Sequence, residues 1–154
     1  MRTFWVVVAD AGRALVLGKN DGSGSVKLLH ELENPAGRLH TSELVSDQRG
    51  RVEKRGGGSQ SAMDAPTDPH EQAAVEFAVE VCRLVDGSAD QHAFDSLILI
   101  APGHFLGLLN ARLGQVARKR LVMSETKDLI RASLPDLQQH VSELVRRHSM
   151  SEVN

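Results

Sequence analysis

The chain has 154 residues, the size of one domain, and its 41% hydrophobic and 25% charged residues are typical of a folded globular protein. A net charge of -2 argues against tight, sequence-independent binding of the whole protein surface to nucleic-acid backbone. It does not exclude a local basic patch. The first apolar run, residues 4–9, is shorter than the roughly 7–15 residues of a signal-peptide core, and no stretch approaches the roughly 20 apolar residues of a membrane span. We therefore expect a cytoplasmic protein without a membrane segment.

Apolar runs separated by turn residues predict three strands in the first part of the chain, at residues 4–9, 13–19 and 26–32. Gly12 allows a tight first turn, and residues 20–25 have the composition of a hairpin loop. Because both connections are short, these strands should be antiparallel neighbours.

The second half alternates helices and strands. Asp68 and Pro69 predict the start of a helix, with Glu71 completing a capping box, and the helix ends at residues 86–88. Its inward face is predicted to be Ala74, Phe77, Ala78, Val81, Cys82 and Val85, and Cys82 should be a buried, inert thiol. The later elements are predicted as a strand at 96–101, a helix at 104–113 capped by Gly114, a strand at 118–123 and a helix at 133–148 with Leu134, Leu137, Val141, Leu144 and Val145 on one face.

This order predicts a single α/β domain over residues 1–154. Three antiparallel strands are followed by two strand–helix units, whose right-handed crossovers make the later strands parallel to the first. The fold class is a five-stranded mixed sheet with helices on its faces, the order found in ribonuclease-H-like folds and related folds of translation proteins. A long polar loop at 33–69 interrupts it, with one short helical turn expected at 39–45, and loops of this length are usually functional or disordered.

Several enzyme sites can be tested against the sequence. A two-metal nuclease needs converging carboxylates, for which Asp10 and Glu71 or Glu76 qualify, but the fourth strand ends without one, so Asp10 is better interpreted as a turn former. Phosphate-binding loops, a serine nucleophile elbow and a zinc-type histidine pair are also missing, and we predict neither a metal nor a cofactor.

Two histidines next to strand ends are the better candidates for a site. His70 and His104 lie at predicted helix starts, where they would face one cleft together with Asp10 and Arg13. The alternative is that both are surface or capping histidines.

The loop carries the most unusual composition. Its cations are Arg49, Arg51, Lys54 and Arg55, and they precede Gly56, Gly57, Gly58 and Gln60. Glycines let backbone approach a ligand closely, flanking cations favour phosphate, and an amide can donate and accept at once. The alternative is a flexible surface loop without a task. A second basic run, residues 118–120, is interpreted as solvated surface.

Five segments in order resemble the bacterial host attachment protein family. They are VVADAGRA at 7–14, DQRGR at 47–51, TDPHE at 67–71, LIAPGHFLGLL at 99–109 and KDL at 127–129. That family is similar in turn to the middle domain of archaeal and eukaryotic class I peptide-release factors, where a Gly-Gly-Gln loop helps water attack peptidyl-tRNA. The resemblance implies that Gly57, Gly58 and Gln60 correspond to that loop, with Gln60 in the catalytic role and Ser59 inserted before it.

These observations leave three hypotheses. The first is a cytoplasmic, release-factor-like binding module that contacts tRNA or the ribosome through residues 49–62. The second is an attachment or regulatory protein that acts by protein–protein contacts, including as a homo-oligomer. The third is a peptidyl-tRNA hydrolase-like enzyme that uses His70, His104 and Gln60. Whether the protein is an enzyme at all is left open by the sequence.

Overall fold

A five-stranded mixed sheet forms the centre of the protein, in the computed structural model that describes residues 2–22, 24–38 and 68–153. Its strands are β1 (Thr3–Asp10), β2 (Arg13–Asn20), β3 (Lys27–Glu33), β4 (Ser96–Ala101) and β5 (Leu121–Thr126). The spatial order is β3-β2-β1-β4-β5, with β1–β2 and β2–β3 antiparallel and β1–β4 and β4–β5 parallel. The predicted fold class is therefore confirmed.

Helices cover both faces of this sheet. They are α1 (Pro35–Arg38), α2 (Pro69–Asp90), α3 (Gly103–Arg112), α4 (Gln115–Arg120) and α5 (Leu134–Val153). Side chains of α2, α3 and α4 pack with Trp5, Val7 and Ala9 of β1, whereas α5 packs on the other face against Phe4 and Val6. Successive side chains of a strand point to opposite faces, and because both faces are covered, residues 4–9 of β1 and 97–101 of β4 are all apolar.

The inward faces of the two long helices follow their 3.6-residue periods. All six residues predicted to face inward from α2 are buried, including Cys82 at 3% exposure. In α5 the buried set is Leu137, Val141, Leu144 and Val145. The prediction that Leu134 belongs to this set is wrong. Leu134 is 40% exposed because it lies in the first turn of the helix, ahead of the packed residues.

The fifth strand begins later than the sequence predicts. Residues 118–120, expected to open it, instead form the last turn of α4, and β5 starts at Leu121. Gly114, expected to cap the end of α3, precedes α4, and its backbone N–H donates to the Asp86 carboxylate at 2.9 Å.

Two further boundaries differ from prediction. Helix α2 continues through Gly87 to Asp90, because a glycine in an otherwise packed helix weakens it without ending it. The segment after Glu33, predicted as loop, begins with the single turn α1. The short helical turn predicted at 39–45 lies outside the described residues.

Candidate functional site

A pocket of about 630 Å³ opens at the carboxyl ends of the parallel strands. Strands β1 and β4 run in the same direction, so Asp10 and Pro102 meet at one edge of the sheet, and the segment after β5 closes the side with Arg131. Crevices at this edge are the usual ligand sites of α/β sheets. The four cleft candidates from the sequence, Asp10, Arg13, His70 and His104, all line this pocket.

The β1–β2 turn supplies the first wall. One carboxylate oxygen of Asp10, Oδ1, accepts hydrogen bonds from the backbone N–H groups of Gly12 at 2.8 Å and Arg13 at 3.0 Å. This is the turn-forming role expected of Asp10, since a short acidic side chain can bond to the backbone two residues ahead. The negative charge of Asp10 is thus already engaged by backbone donors.

Arg13 extends from this turn along β3. Its Nη2 atom donates to Glu31 at 2.6 Å, and its Nε atom lies 3.8 Å from Glu33. The side chains are about two-fifths exposed, so the pairs hold the guanidinium in place more than they stabilise the fold.

The amino-terminal turn of α2 supplies the second wall. Asp68 caps it as predicted, with its carboxylate accepting from the His70 backbone N–H at 3.0 Å and Pro69 at the first helical position. The carboxylate of Glu71, expected to complete a capping box, instead lies 2.7 Å from Nε2 of His104.

His104 is brought to Glu71 by the start of α3, which follows the end of β4 directly. Its side chain is 70% exposed and that of Glu71 is 39% exposed, so the pair stands at the open side of the pocket. His70 lies deeper. Its Nδ1 atom is buried and has no hydrogen-bond partner among residues 2–22, 24–38 and 68–153.

Asn34 fastens the segment before α1 to this site. Its side-chain Nδ2 donates to the carbonyl oxygens of Ala11 at 2.9 Å and Ala73 at 3.2 Å, which joins the β1–β2 turn to helix α2. Gly37, three residues later, lines the pocket, as does His70 just after Asp68. Gly37 and His70 therefore lie on the same pocket although they are 33 residues apart in the sequence.

Sequence reasoning did not single out Asn34, Gly37 or Arg131. The Asn34–Pro35 dipeptide is a turn signal that marks the first of these positions. Nothing in the sequence around Arg131 indicates that it lines the pocket, because its position depends on how the segment after β5 returns to the sheet.

The loop candidates lie outside the described residues and stay predictions. They are Arg49, Arg51, Lys54, Arg55, Gly56, Gly57, Gly58 and Gln60. The second basic run has a structural role in part, since Arg118 donates to the carbonyl oxygens of Asn110 and Leu113 and Arg120 to that of Phe94.

Metal ligands and membrane spans are both absent from the described residues. Among residues 2–22, 24–38 and 68–153 no group of three or more His, Cys, Asp or Glu side chains is placed to hold a metal ion. No helix in the same ranges is both long and apolar enough to cross a bilayer.

Fold and pocket together define an α/β domain with a polar cleft at the carboxyl end of its parallel strands. The family model described as "Protein required for attachment to host cells" matches residues 5–141. The chain belongs to this host attachment family, which confirms the resemblance of the five sequence segments. A comparison with curated proteins finds no match.

Two solved structures are similar at low identity. One is described as "Archaeal protein", with 14% identity and a TM-score of 0.49 over 98% of this chain. The other is the archaeal translation termination factor aRF1, with 12% identity and a TM-score of 0.44 over 98% of this chain. The chain covers 39% of each of these two longer proteins.

Proposed function

We propose that the protein is a cytoplasmic RNA-binding module that contacts tRNA or the ribosome through residues 49–62 and the adjoining pocket. The observation that carries the proposal is the placement of Gly37 and His70 on one pocket, at the two ends of the segment that holds the basic, glycine-rich residues. Gly37 and His70, the described pocket residues on either side of that segment in the sequence, support this assignment.

The pocket offers donors suited to phosphate. Arg13 and Arg131 carry guanidinium groups, and His70 and His104 carry imidazoles. Arginine and histidine donors to phosphate oxygens fix the position of a nucleic acid without reading its sequence.

The carboxylates in the pocket do not oppose this use. Asp10 accepts from the backbone of its own turn, and Glu71 faces His104. Both negative charges therefore already have donors. Arg13 is itself paired with Glu31 and Glu33. The described lining residues that can still donate to a ligand are therefore Arg131 and His70.

The basic residues of the loop supply the second part of the interaction. Arg49, Arg51, Lys54 and Arg55 stand just before the three glycines and Gln60. Clustered Lys and Arg side chains bind backbone phosphates, and each phosphate that is neutralised releases counterions.

Salt-dependent binding of tRNA to the full chain tests the proposal. A variant with all four loop cations changed to glutamine should bind more weakly. Its log affinity should also depend less steeply on log salt, by about 0.7–0.9 for each phosphate that is no longer neutralised. The matched control changes Arg83, Lys119, Arg146 and Arg147, which are exposed on other surfaces. Equal weakening in the control and loop variants would mean that only net charge matters, and the loop proposal would be withdrawn.

Co-sedimentation with ribosomes tests the glycines separately. Replacing Gly57 and Gly58 with valine and Gln60 with alanine leaves net charge unchanged but removes the close approach of backbone and amide. We expect reduced ribosome association with unchanged thermal stability. Unchanged association would remove the support for release-factor-like binding.

The family description favours a second candidate, an attachment or regulatory protein that acts by protein–protein binding or as a homo-oligomer. Strand β3, the end strand of the described sheet, exposes Leu28 and Leu29 at 39% and 43%. Changing both to serine should then abolish self-association in light scattering while tRNA binding is kept. A monomer at all concentrations that still binds tRNA would decide against this candidate.

A further inference from the structure

The Glu71–His104 pair has the geometry of an oriented general base. Because Oε1 of Glu71 lies 2.7 Å from Nε2 of His104, the carboxylate favours the tautomer with the proton on Nε2. The Nδ1 atom is then the nitrogen that can accept a proton. With a side chain that is 70% exposed at the pocket mouth, the imidazole is accessible to a bound ligand.

The described pocket lining contains no Ser, Thr, Cys or Lys side chain for this base to activate. With that lining, the base is placed to act on water or on a hydroxyl of the ligand itself. If the ligand is RNA, each ribose brings a 2′-hydroxyl next to the phosphodiester.

We infer that the pocket cleaves RNA by attack of a ribose 2′-hydroxyl on the adjacent phosphorus, with His104 as general base and Glu71 as its positioning residue. The inference rests on the RNA binding proposed above. Nδ1 of His104 takes the proton of the 2′-hydroxyl, the 2′ oxygen bonds to phosphorus, and the bond from phosphorus to the 5′ oxygen breaks. The products are a 2′,3′-cyclic phosphate and a free 5′-hydroxyl, and no oxidant, reductant or external nucleophile is consumed.

His70 supplies the remaining proton. The leaving 5′ oxygen must be protonated, and His70 is the second imidazole of the same pocket. Its Nδ1 atom is buried and has no hydrogen-bond partner among the described residues, so Nε2 is the ring nitrogen that would deliver the proton. Arg131 lines the same pocket and would face the negative charge that develops on the phosphate, whereas the guanidinium of Arg13 is held by Glu31 and Glu33.

Substrate chemistry provides the first test. The full chain is incubated with a single-stranded RNA and with the same sequence carrying 2′-O-methyl groups, each with and without EDTA. We expect cleavage of the RNA to a 2′,3′-cyclic phosphate and no cleavage of the methylated strand. Equal cleavage of both strands, or loss of cleavage with EDTA, would overturn the mechanism.

Variants identify the base. His104→Gln should lower kcat at least about 100-fold, the usual contribution of a general base. Glu71→Gln should give a smaller loss of kcat with KM unchanged, because the amide still orients the ring but lacks the charge. Glu80→Gln is the matched control, with the same charge change at an exposed position of α2 outside the pocket, and it should keep full activity. Activity retained in His104→Gln would refute the assignment.

A substrate whose leaving group needs no proton tests the general-acid role of His70 separately. In a nucleoside 3′-(4-nitrophenyl phosphate) the leaving nitrophenolate needs no proton, so His70→Gln should cleave it at nearly the wild-type rate while losing activity on RNA. His104→Gln should be inactive on both. Equal loss on both substrates for His70→Gln would contradict the acid role.

A binding measurement distinguishes failure of the cleavage mechanism from failure of the RNA binding on which it rests. The affinity for the methylated strand is measured by fluorescence anisotropy with wild type and His104→Gln. Binding without cleavage would refute the catalytic inference and leave RNA binding standing. Absence of binding would remove both.

Discussion

A methyl group added at Gly37 would overlap the backbone carbonyl oxygen of Ala11. Helix α1 thus lies with its backbone directly on the β1–β2 turn, beside the pocket. Gly37→Ala must push these segments apart, and we expect the free energy of unfolding to fall by about 1–3 kcal/mol, as for other overpacked sites. Urea unfolding followed by the fluorescence of Trp5, the single tryptophan, measures this.

Gly107→Ala is the matched control for that substitution. No atom lies within 4 Å of a Cβ placed at Gly107, which is exposed in the interior of α3. Alanine is favoured over glycine inside a helix by roughly 0.5–1 kcal/mol, so this variant should be more stable than wild type. Equal effects of the two substitutions would show that α1 does not pack on the turn as described.

Arg120 is expected to matter for stability and not for RNA binding. Its Nη1 atom donates to the carbonyl oxygen of Phe94 at 2.6 Å, and its Nη2 atom is 3.3 Å from Nδ1 of His92. Arg120→Gln should lower the free energy of unfolding by about 1.5–3 kcal/mol, the range for hydrogen bonds to charged groups. The affinity for tRNA should be unchanged in the same preparation.

The exposed neighbour Lys119 tests whether this effect is specific. Lys119→Gln removes the same charge without a bond to the carbonyl of Phe94, and it should change stability by no more than about 0.5 kcal/mol. If both substitutions destabilise alike, the basic run acts through its charge and not through the hydrogen bond of the arginine.

Which segments are strands and which are helices can be predicted here because buried residues recur at the spacing typical of each element. Residues 4–9 of β1 and 97–101 of β4 are all apolar since helices cover both faces of these strands. The start of β5 is harder to predict because β5 is an end strand of the described sheet. Exposed and partly buried residues alternate along it, with Val122, Ser124 and Thr126 exposed, so the sequence lacks a continuous apolar run that would mark where the strand begins.

Site residues can be predicted from the sequence only where a local signal, such as a strand end or a helix cap, fixes their place in the fold. His70 and His104 each follow a strand or cap signal, so their place near a strand edge can be inferred. The bond between Glu71 and His104 joins residues 33 apart and depends on how α2 and α3 approach each other. The Asn34–Pro35 dipeptide predicts a turn, but the bonds of Asn34 to Ala11 and Ala73 depend on the same tertiary packing.

Cys82 is expected to resist thiol reagents in the folded protein. Burial, with a smaller effect of the Asp86 carboxylate, raises the pKa of its thiol from 9.0 to about 12, while Arg112 and Arg118 act in the opposite direction. The thiolate is the reactive species, so labelling by an aromatic disulfide at pH 8 should proceed only as fast as the protein opens. Rapid labelling without unfolding would contradict the buried position.

The same shift makes stability depend on pH. The thiol ionises near 9 in the unfolded chain but near 12 in the folded one, so its contribution is fully present below pH 9 and is lost as pH rises toward 12. Cys82→Ala removes this titration, and its free energy of unfolding should fall less steeply than that of wild type between pH 9 and pH 10.5. Parallel pH profiles would show that the thiol is not responsible.

Substitutions of Asp10 test whether this residue only forms the β1–β2 turn or also contacts RNA bound in the pocket. Its carboxylate accepts from the backbone N–H groups of Gly12 and Arg13, and an asparagine can accept the same bonds through its amide oxygen. We expect Asp10→Asn to keep the fold and to bind RNA at least as well as wild type, because it removes a negative charge from the pocket. Asp10→Ala leaves the turn donors without an acceptor and should cost about 1–3 kcal/mol of unfolding free energy. Calorimetry and tRNA titration on both variants measure these effects, and a loss of RNA binding in Asp10→Asn with unchanged stability would assign Asp10 to the ligand instead of the turn.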